Sequence, residues 1–207
     1  MGYWGRGVLS TLAILNIIAF LAVINSISMV HILFLIPSFI LAWLLGKQYD
    51  KVKFTSERDA LTGVYNRWNA KKIFDRLKRQ TSRRSLTLAV FVIDVDDFKS
   101  INDNHNHRTG DKVLQLLSDL LVNVFRIHDH IIRWGGDEFI VFRSYACHVE
   151  LQEIYELLNK ELRSLSDMLD LNISVSIGNS LYPWDGDNLD ELVNIADRKM
   201  YSNKNSK

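Results

Sequence analysis

Cysteine is almost missing from this chain: Cys147 is the only one among 207 residues. One thiol builds neither a disulfide framework nor a cysteine-based zinc site. Such a chain suits a reducing cytosol. Excess charge is also absent, with 25 Lys and Arg against 24 Asp and Glu and a formal net charge of +1. That balance argues against a protein that coats nucleic acid, so no nucleic-acid partner is expected. Internal repeats and low-complexity stretches are absent too. The most informative absence is local. Residues 8–46 contain no Asp, Glu, Lys or Arg, and His31 is their only titratable side chain.

A helix that spans a bilayer needs about 20 apolar residues, and this block is about twice that length. The run NSIS, residues 25–28, interrupts it midway. The pattern predicts two transmembrane helices within residues 1–46, at about 8–24 and 29–45, joined by a tight turn. A cleaved signal peptide fits poorly, because no small-residue cleavage site is evident and the second apolar run follows directly. A buried soluble hairpin would carry charge on an outer face, and these segments carry none. Arg6 precedes the block, and Lys47, Lys51 and Lys53 follow it. The positive-inside rule then puts both ends in the cytoplasm, with almost nothing outside to form a sensor domain. Pro37 is tolerable inside a membrane helix, where it would kink the second span.

Residues 47–59 read as a charged helical connector continuous with the second span, and residues 60–207 as one domain. Within it, LTLAVFVID (86–94) is a continuous apolar run, the mark of a central strand buried on both faces. Residues 110–125 place Val113, Leu114, Leu117, Leu120, Leu121 and Val124 on one helical stripe. Leu151, Ile154, Leu158, Leu162 and Leu165 mark another amphipathic helix. LNISVSIGNS (171–180) alternates as a strand, and Asn188 can cap a last helix with Asp190 and Glu191 in its first turn. The order is helix, strand, helix, hairpin, helix, strand, helix. It predicts an α/β (α+β) domain with helices packed on an antiparallel-rich central sheet.

The hairpin IIRWGGDEFIVF (131–142) carries two glycines and two carboxylates at its tip. As local structure, Gly135 and Gly136 make a two-residue turn, since glycine reaches positive φ without steric cost. The central strand supplies a second acidic group, DVDDFK, with Asp94, Asp96 and Asp97. Carboxylates this close repel one another unless a cation compensates. If the hairpin lies beside the central strand, Asp137 and Glu138 come near Asp94 and a metal site forms from two segments. Mg²⁺ favours one or two carboxylates, with water and phosphate oxygens completing its shell. Bare glycines then let an anionic ligand approach the backbone, and two free N–H groups suit a polyphosphate.

Six motifs in order carry a family resemblance. They are RDALTGVYNR (58–67), DVDDFKSIND (94–103), HRTGD (107–111), RWGGDEF (133–139), SVSIG (174–178) and ADRKMYSNK (196–204). Together they resemble the GGDEF family, the diguanylate cyclases of bacteria, over about residues 57–204. The resemblance implies a nucleotidyl-cyclase or palm-like fold. It also implies condensation of two GTP molecules to cyclic di-GMP with release of pyrophosphate.

The resemblance implies roles residue by residue. Asp94, the backbone carbonyl of Val95 and Asp137 hold Mg²⁺ (or Mn²⁺). Asp137 is the candidate proton acceptor, and Glu138 completes the acidic pair. Asn102, His107 and Asp111 bind substrate, with Asp111 able to accept both donors on the guanine edge. Lys99 and Lys204 contact phosphate, and Gly135 and Gly136 line the site. Arg126 and Asp129 match an Arg-x-x-Asp site for inhibition by cyclic di-GMP, with Arg58 as a secondary contact. The implied partners are GTP, cyclic di-GMP as product and inhibitor, the membrane, and a second copy in a homodimer, since each domain holds one GTP. The implied location is the bacterial inner membrane, multi-pass, with the catalytic domain in the cytoplasm. Two departures stand out. Asn106 occupies a position where the family has glycine, so a differently bent loop beside His107 is expected. The chain ends at NKNSK, before a Gly-Arg-Asn tail common in the family, so a distal phosphate contact is expected to be lost. The rival readings are a degenerate domain that only binds cyclic di-GMP or GTP, and a nucleotide cyclase of another specificity. The intact Asp94, Asp137 and Glu138 disfavour the first, and Asn102 with Asp111 disfavours the second.

Overall fold

The structure is a computed structural model that describes residues 4–23, 29–84, 86–125, 128–145 and 150–204. The run 25–28, Arg126, Cys147 and residues 205–207 lie outside the described residues, as does the side chain of His31. The chain divides into two units, Met1–Glu57 and Arg58–Lys207.

The first unit holds α1 (Trp4–Val23) and α2 (Met29–Glu57), which pack against each other. Helix α2 runs unbroken through Pro37 and through the predicted connector up to Glu57. The two predicted transmembrane spans are not found. Among the described residues, no helix is long and apolar enough to cross a membrane. The unit does expose apolar side chains, among them Leu12, Leu15, Ile18, Leu33 and Phe34.

The second unit contains β1 (Tyr65–Asn66), α3 (Arg67–Arg84), β2 (Thr87–Val95), α4 (Phe98–His105), α5 (His107–Val124), β3 (His130–Arg133), β4 (Glu138–Tyr145), α6 (Glu150–Leu169), β5 (Val175–Tyr182) and α7 (Leu189–Lys204). Its five strands form one sheet in the order β1-β3-β4-β2-β5. Only β1–β3 is parallel; β3–β4, β4–β2 and β2–β5 are antiparallel. Strand β2 is central and buried on both faces. Ala89, Phe91, Ile93 and Val95 join a core with the buried stripes of α5 and α6, while Leu88, Val90 and Val92 join a second core with α3 and α7. Thus the continuous apolar run belongs here to an antiparallel strand, because helices cover both faces.

Two elements escape the sequence pattern. Strand β1 is too short to show alternation, and α4 is a helix of 8 residues. Strand β5 begins at Val175, later than the alternation predicts, although Ile173 is buried. The capping of α7 is as expected: Asn188 Oδ1 accepts the N–H of Glu191 at 3.0 Å.

Candidate active site

The β2–β4 register sets Asp94 opposite Glu138. The Val95 N–H donates to the carbonyl of Asp137 at 3.3 Å. The two acidic segments therefore meet at one end of adjacent strands. Lys204, the last residue of α7, donates to Asp94 Oδ1. Helix α7 reaches that point because Gly178 lets it lie directly on β5: a Cβ there would sit 2.0 Å from the Ala196 carbonyl oxygen and 2.4 Å from Met200 N. Asn203 fastens the same helix end, donating to the Ile177 carbonyl at 2.9 Å.

Burial raises the pKa of Asp137, and the nearby charge of Asp94 adds to the rise. Glu138 is raised in the same way, by burial first and then by Asp94 and Asp137. The hydrogen bond to Asp94 raises Lys204. Asp94 and Asp137 thus form a crowded pair whose charge the protein only partly offsets.

The turn between β3 and β4 differs from the one expected. It spans four residues, 134–137, and of the described glycines only Gly63 lies in the left-handed region. Gly135 matters for space instead, since a Cβ there would stand 2.7 Å from Glu138 Oε2. The N–H of Gly135 is not free for a ligand, as it donates to the Glu138 carbonyl at 3.3 Å. Gly136 is exposed, with nothing near its Cα hydrogen side.

Arg133 braces this turn, a role the sequence did not reveal although the residue lies inside a quoted motif. Its Nε and Nη2 donate to the Gly136 carbonyl at 3.1 and 2.7 Å, and its Nη1 donates to Asp59 Oδ1 at 2.9 Å. Asp59 also accepts from the N–H and hydroxyl of Thr62 at 2.9 and 2.7 Å. Burial pushes the Asp59 carboxyl up, but the bonds from Thr62 and Arg133 outweigh it and hold the pKa low.

The other substrate candidates sit around α4 and α5. Asn102 Oδ1 lies against Gly110, where a Cβ would come within 2.1 Å, so Asn102 adjoins the residue preceding Asp111. Asp111 and His107 are exposed on α5, and Lys99 is exposed on α4. Among the described residues, no hydrogen bond or ion pair ties Lys99 or His107 to the acidic cluster. The loop at Asn106 has an unusual backbone. Asn106 has φ 92° and ψ 161°, a backbone that glycine ordinarily supplies, and its side chain caps α5 by accepting the Thr109 N–H at 3.2 Å. The asparagine itself adopts a bend typical of glycine.

Asp129 forms an ion pair with Arg143 at 3.1 Å, each side chain being 5% exposed. Strand β4 places Arg143 there, and nothing in the sequence pattern marks it. Arg58 lies over the ring of Tyr65 at 3.9 Å and donates to the Gly63 carbonyl. His130 is stacked on Tyr65, and burial followed by the charge of Arg76 lowers its pKa to about 4.

The family model "Diguanylate cyclase, GGDEF domain" matches residues 56–207. The chain belongs to the GGDEF family. It is 34% identical over 147 residues to the diguanylate cyclase DosC of Escherichia coli, a match that covers 69% of this chain and 32% of that relative. The chain therefore aligns with about a third of DosC. Among solved structures, the GGDEF domain of TpbB (YfiN) from Pseudomonas aeruginosa superposes with a TM-score of 0.67 at 32% identity, covering 72% of this chain and 90% of that one. The GGDEF domain of DgcB from Caulobacter crescentus, solved in complex with c-di-GMP, superposes with a TM-score of 0.65 at 25% identity, covering 73% and 89%.

A GGDEF domain of this kind generally works with a divalent cation. Among the described residues, no three His, Cys, Asp or Glu side chains group as a metal cage. Two carboxylates and a carbonyl nevertheless suit Mg²⁺, which takes its remaining ligands from water and phosphate. The mutual rise of Asp137 and Glu138 beside Asp94 fits a site where cationic charge is wanted. The residues present fit the ion.

Proposed function

We propose that this GGDEF protein is a diguanylate cyclase. Asp94, the Val95 carbonyl and Asp137 would hold Mg²⁺ or Mn²⁺. The observation that carries the reading is the register that sets Asp94 against Glu138 while Val95 N–H bonds Asp137, with Lys204 at the same point. A cation there supplies positive charge beside the reacting hydroxyl and phosphate. In each half-reaction the 3′-oxygen of one GTP bonds to the α-phosphorus of the other, the bond to the β-phosphate bridge breaks, and pyrophosphate leaves. Asp137 takes the hydroxyl proton.

Asn102 and Asp111 bind the guanine, Asp111 accepting the two donors on its edge. Lys204 and Lys99 bind phosphate, and His107 lies beside the base. One domain holds one GTP, so a homodimer brings two sites face to face. Catalysis is then largely positioning and charge stabilisation. Product inhibition through Arg126 and Asp129 belongs to the same proposal, and it requires Asp129 to exchange Arg143 for the guanine. The exposed apolar side chains of the first unit support placing that unit against bacterial membrane lipid, with the catalytic domain in the cytoplasm. Membrane fractionation of cells that express the chain tests this placement, and recovery wholly in the soluble fraction refutes it.

The test of activity is cyclic di-GMP formation from GTP and Mg²⁺ by the purified chain, beside Asp137→Ala. Product from the wild type alone is the expected result. No product from either, with GTP or cyclic di-GMP still bound, would establish the receptor reading in its place.

A further inference from the structure

We propose that Asp96 is a positioning residue that aims the Val95 carbonyl into the site, working through a clamp with Ser174 and Ser176. This rests on the reading above, in which that carbonyl is a metal ligand.

Three carboxylates leave the end of β2, and the structure gives them different tasks. Asp94 faces Glu138 and Lys204. Asp97 turns the chain into α4 with φ 50° and makes no side-chain cap. Asp96 is tied the other way, to the residues at the start of β5. The Ser174 hydroxyl donates to its Oδ2 at 2.7 Å, and the Ser176 hydroxyl donates to its Oδ1 at 2.6 Å. Its own N–H donates to the Ser174 carbonyl at 2.9 Å. Ser176 is 1% exposed, so water competes poorly for its hydroxyl. Hydroxyl bonds to an ionised carboxylate are roughly twice as strong as neutral ones.

The consequence lies in one peptide plane. The Asp96 N–H and the Val95 carbonyl belong to the same peptide group, which is planar and trans, so they point in opposite directions. Strand β5 flanks β2 on one side and β4 flanks it on the other. Holding the Asp96 N–H on Ser174 therefore directs the Val95 carbonyl away from β5, toward the side where the carbonyl of Asp137 takes the Val95 N–H. The two serine bonds lock the residue that keeps this plane from rotating. At metal sites, losing a group that orients a ligand typically costs about 10–100-fold in metal affinity.

A clamp that merely fastened β5 to β2 would affect stability alone, so the test must read metal binding. Mn²⁺ binding to the full chain is followed by electron paramagnetic resonance in the presence of α,β-methylene-GTP, which cannot transfer its α-phosphate. The variants are Ser174→Ala with Ser176→Ala together, each alone, Ser176→Thr and Asp96→Ala. The double variant is expected to bind Mn²⁺ about 10–100-fold more weakly. Each single variant is expected to lie between it and wild type, and Ser176→Thr to stay near wild type because it keeps the hydroxyl. A folded double variant with Mn²⁺ affinity within about twofold of wild type overturns the proposal, whatever its thermal midpoint, since 10-fold is the smallest loss expected. If Asp96→Ala or the double variant does not fold, the single serine variants decide on the same criterion. Wild type that binds no Mn²⁺ would instead overturn the metal reading itself, and the clamp's role with it.

Discussion

Replacing Asn106 by glycine should stabilise this protein, although it removes a helix cap. Asn106 sits at φ 92° and ψ 161°, in backbone space that is essentially reserved for glycine. A side chain held there costs about 1–3 kcal/mol. Two terms oppose the gain. Glycine forfeits about 0.5–1 kcal/mol of extra chain entropy on folding, and exchanging an asparagine cap for glycine costs only about a few tenths of a kcal/mol. The balance is a gain of about 1 kcal/mol, or about 2–4 °C in the thermal midpoint for a unit of this size. Asn106→Ala separates the terms. Alanine keeps the strain, loses the Thr109 contact and tolerates the region less well than asparagine, so it should lose about 1–2 kcal/mol. Urea unfolding of the three proteins, monitored by circular dichroism, should rank them glycine, asparagine, alanine. Alanine as stable as glycine would refute the strain argument, because the two differ chiefly in tolerance of that backbone.

Other expectations follow from the same geometry. Asp137 has a folded pKa above its unfolded value, so its contribution to stability is most favourable below the unfolded pKa and is lost as pH rises through the folded pKa. Asp137→Asn should therefore raise the thermal midpoint of the ligand-free protein at neutral pH, and the advantage should vanish in acid below the carboxylate range; an advantage that persists in acid would disprove the charge explanation. Gly178→Ala pushes a Cβ into the backbone of α7 and should cost about 1–3 kcal/mol while raising the KM for GTP through displacement of Lys204; an unchanged KM would separate α7 from substrate binding. Arg143→Met removes the buried guanidinium that pairs with Asp129 and should cost about 1–3 kcal/mol in chemical denaturation, and an unchanged midpoint would show that the pair contributes nothing to stability.

The parts of this molecule that could be read from its sequence are those where side-chain pattern alone decides. The unbroken apolar run around Phe91 reads as a strand covered twice, and the stripe from Val113 to Val124 reads as a helix face turned to a core. The acidic pairing was legible as a condition, that the hairpin lie beside β2, and the Asp94–Glu138 register meets it. What stayed hidden depends on backbone path or on partners distant in sequence. Tyr65 and Asn66 pair with Ile132 and Arg133 across 67 residues, and two residues show no periodicity. Asp129 carried the composition of a ligand-binding pair, but Arg143, 14 residues on, occupies it. The positive φ of Asn106 is not written in a residue type that also serves as a helix cap. In the N-terminal block, composition pointed to spanning helices, whereas a span needs a continuous apolar length that the described helices do not provide.

The glycine-rich turn shows how a motif can be right for a reason other than the obvious one. Its glycines are not needed for a left-handed bend. Instead, three successive carbonyls of the turn are engaged by the protein: that of Gly136 by Arg133, that of Asp137 by Val95 N–H, and that of Glu138 by the N–H groups of Trp134 and Gly135. Held at so many points, the turn has little freedom to carry its carboxylates away from Asp94. Gly135 leaves room for the Glu138 carboxylate to fold back over it. The backbone is thus spent on rigidity, while the side chains are left crowded, half-buried and displaced toward protonation. A frame that fixes its carbonyls and concentrates uncompensated carboxylates gains most from a cation arriving with an anionic ligand. Bound GTP with its metal should accordingly stabilise this unit more than GTP alone, because only the pair brings cationic charge to the carboxylates together with an anion for Lys204, which now pairs with Asp94.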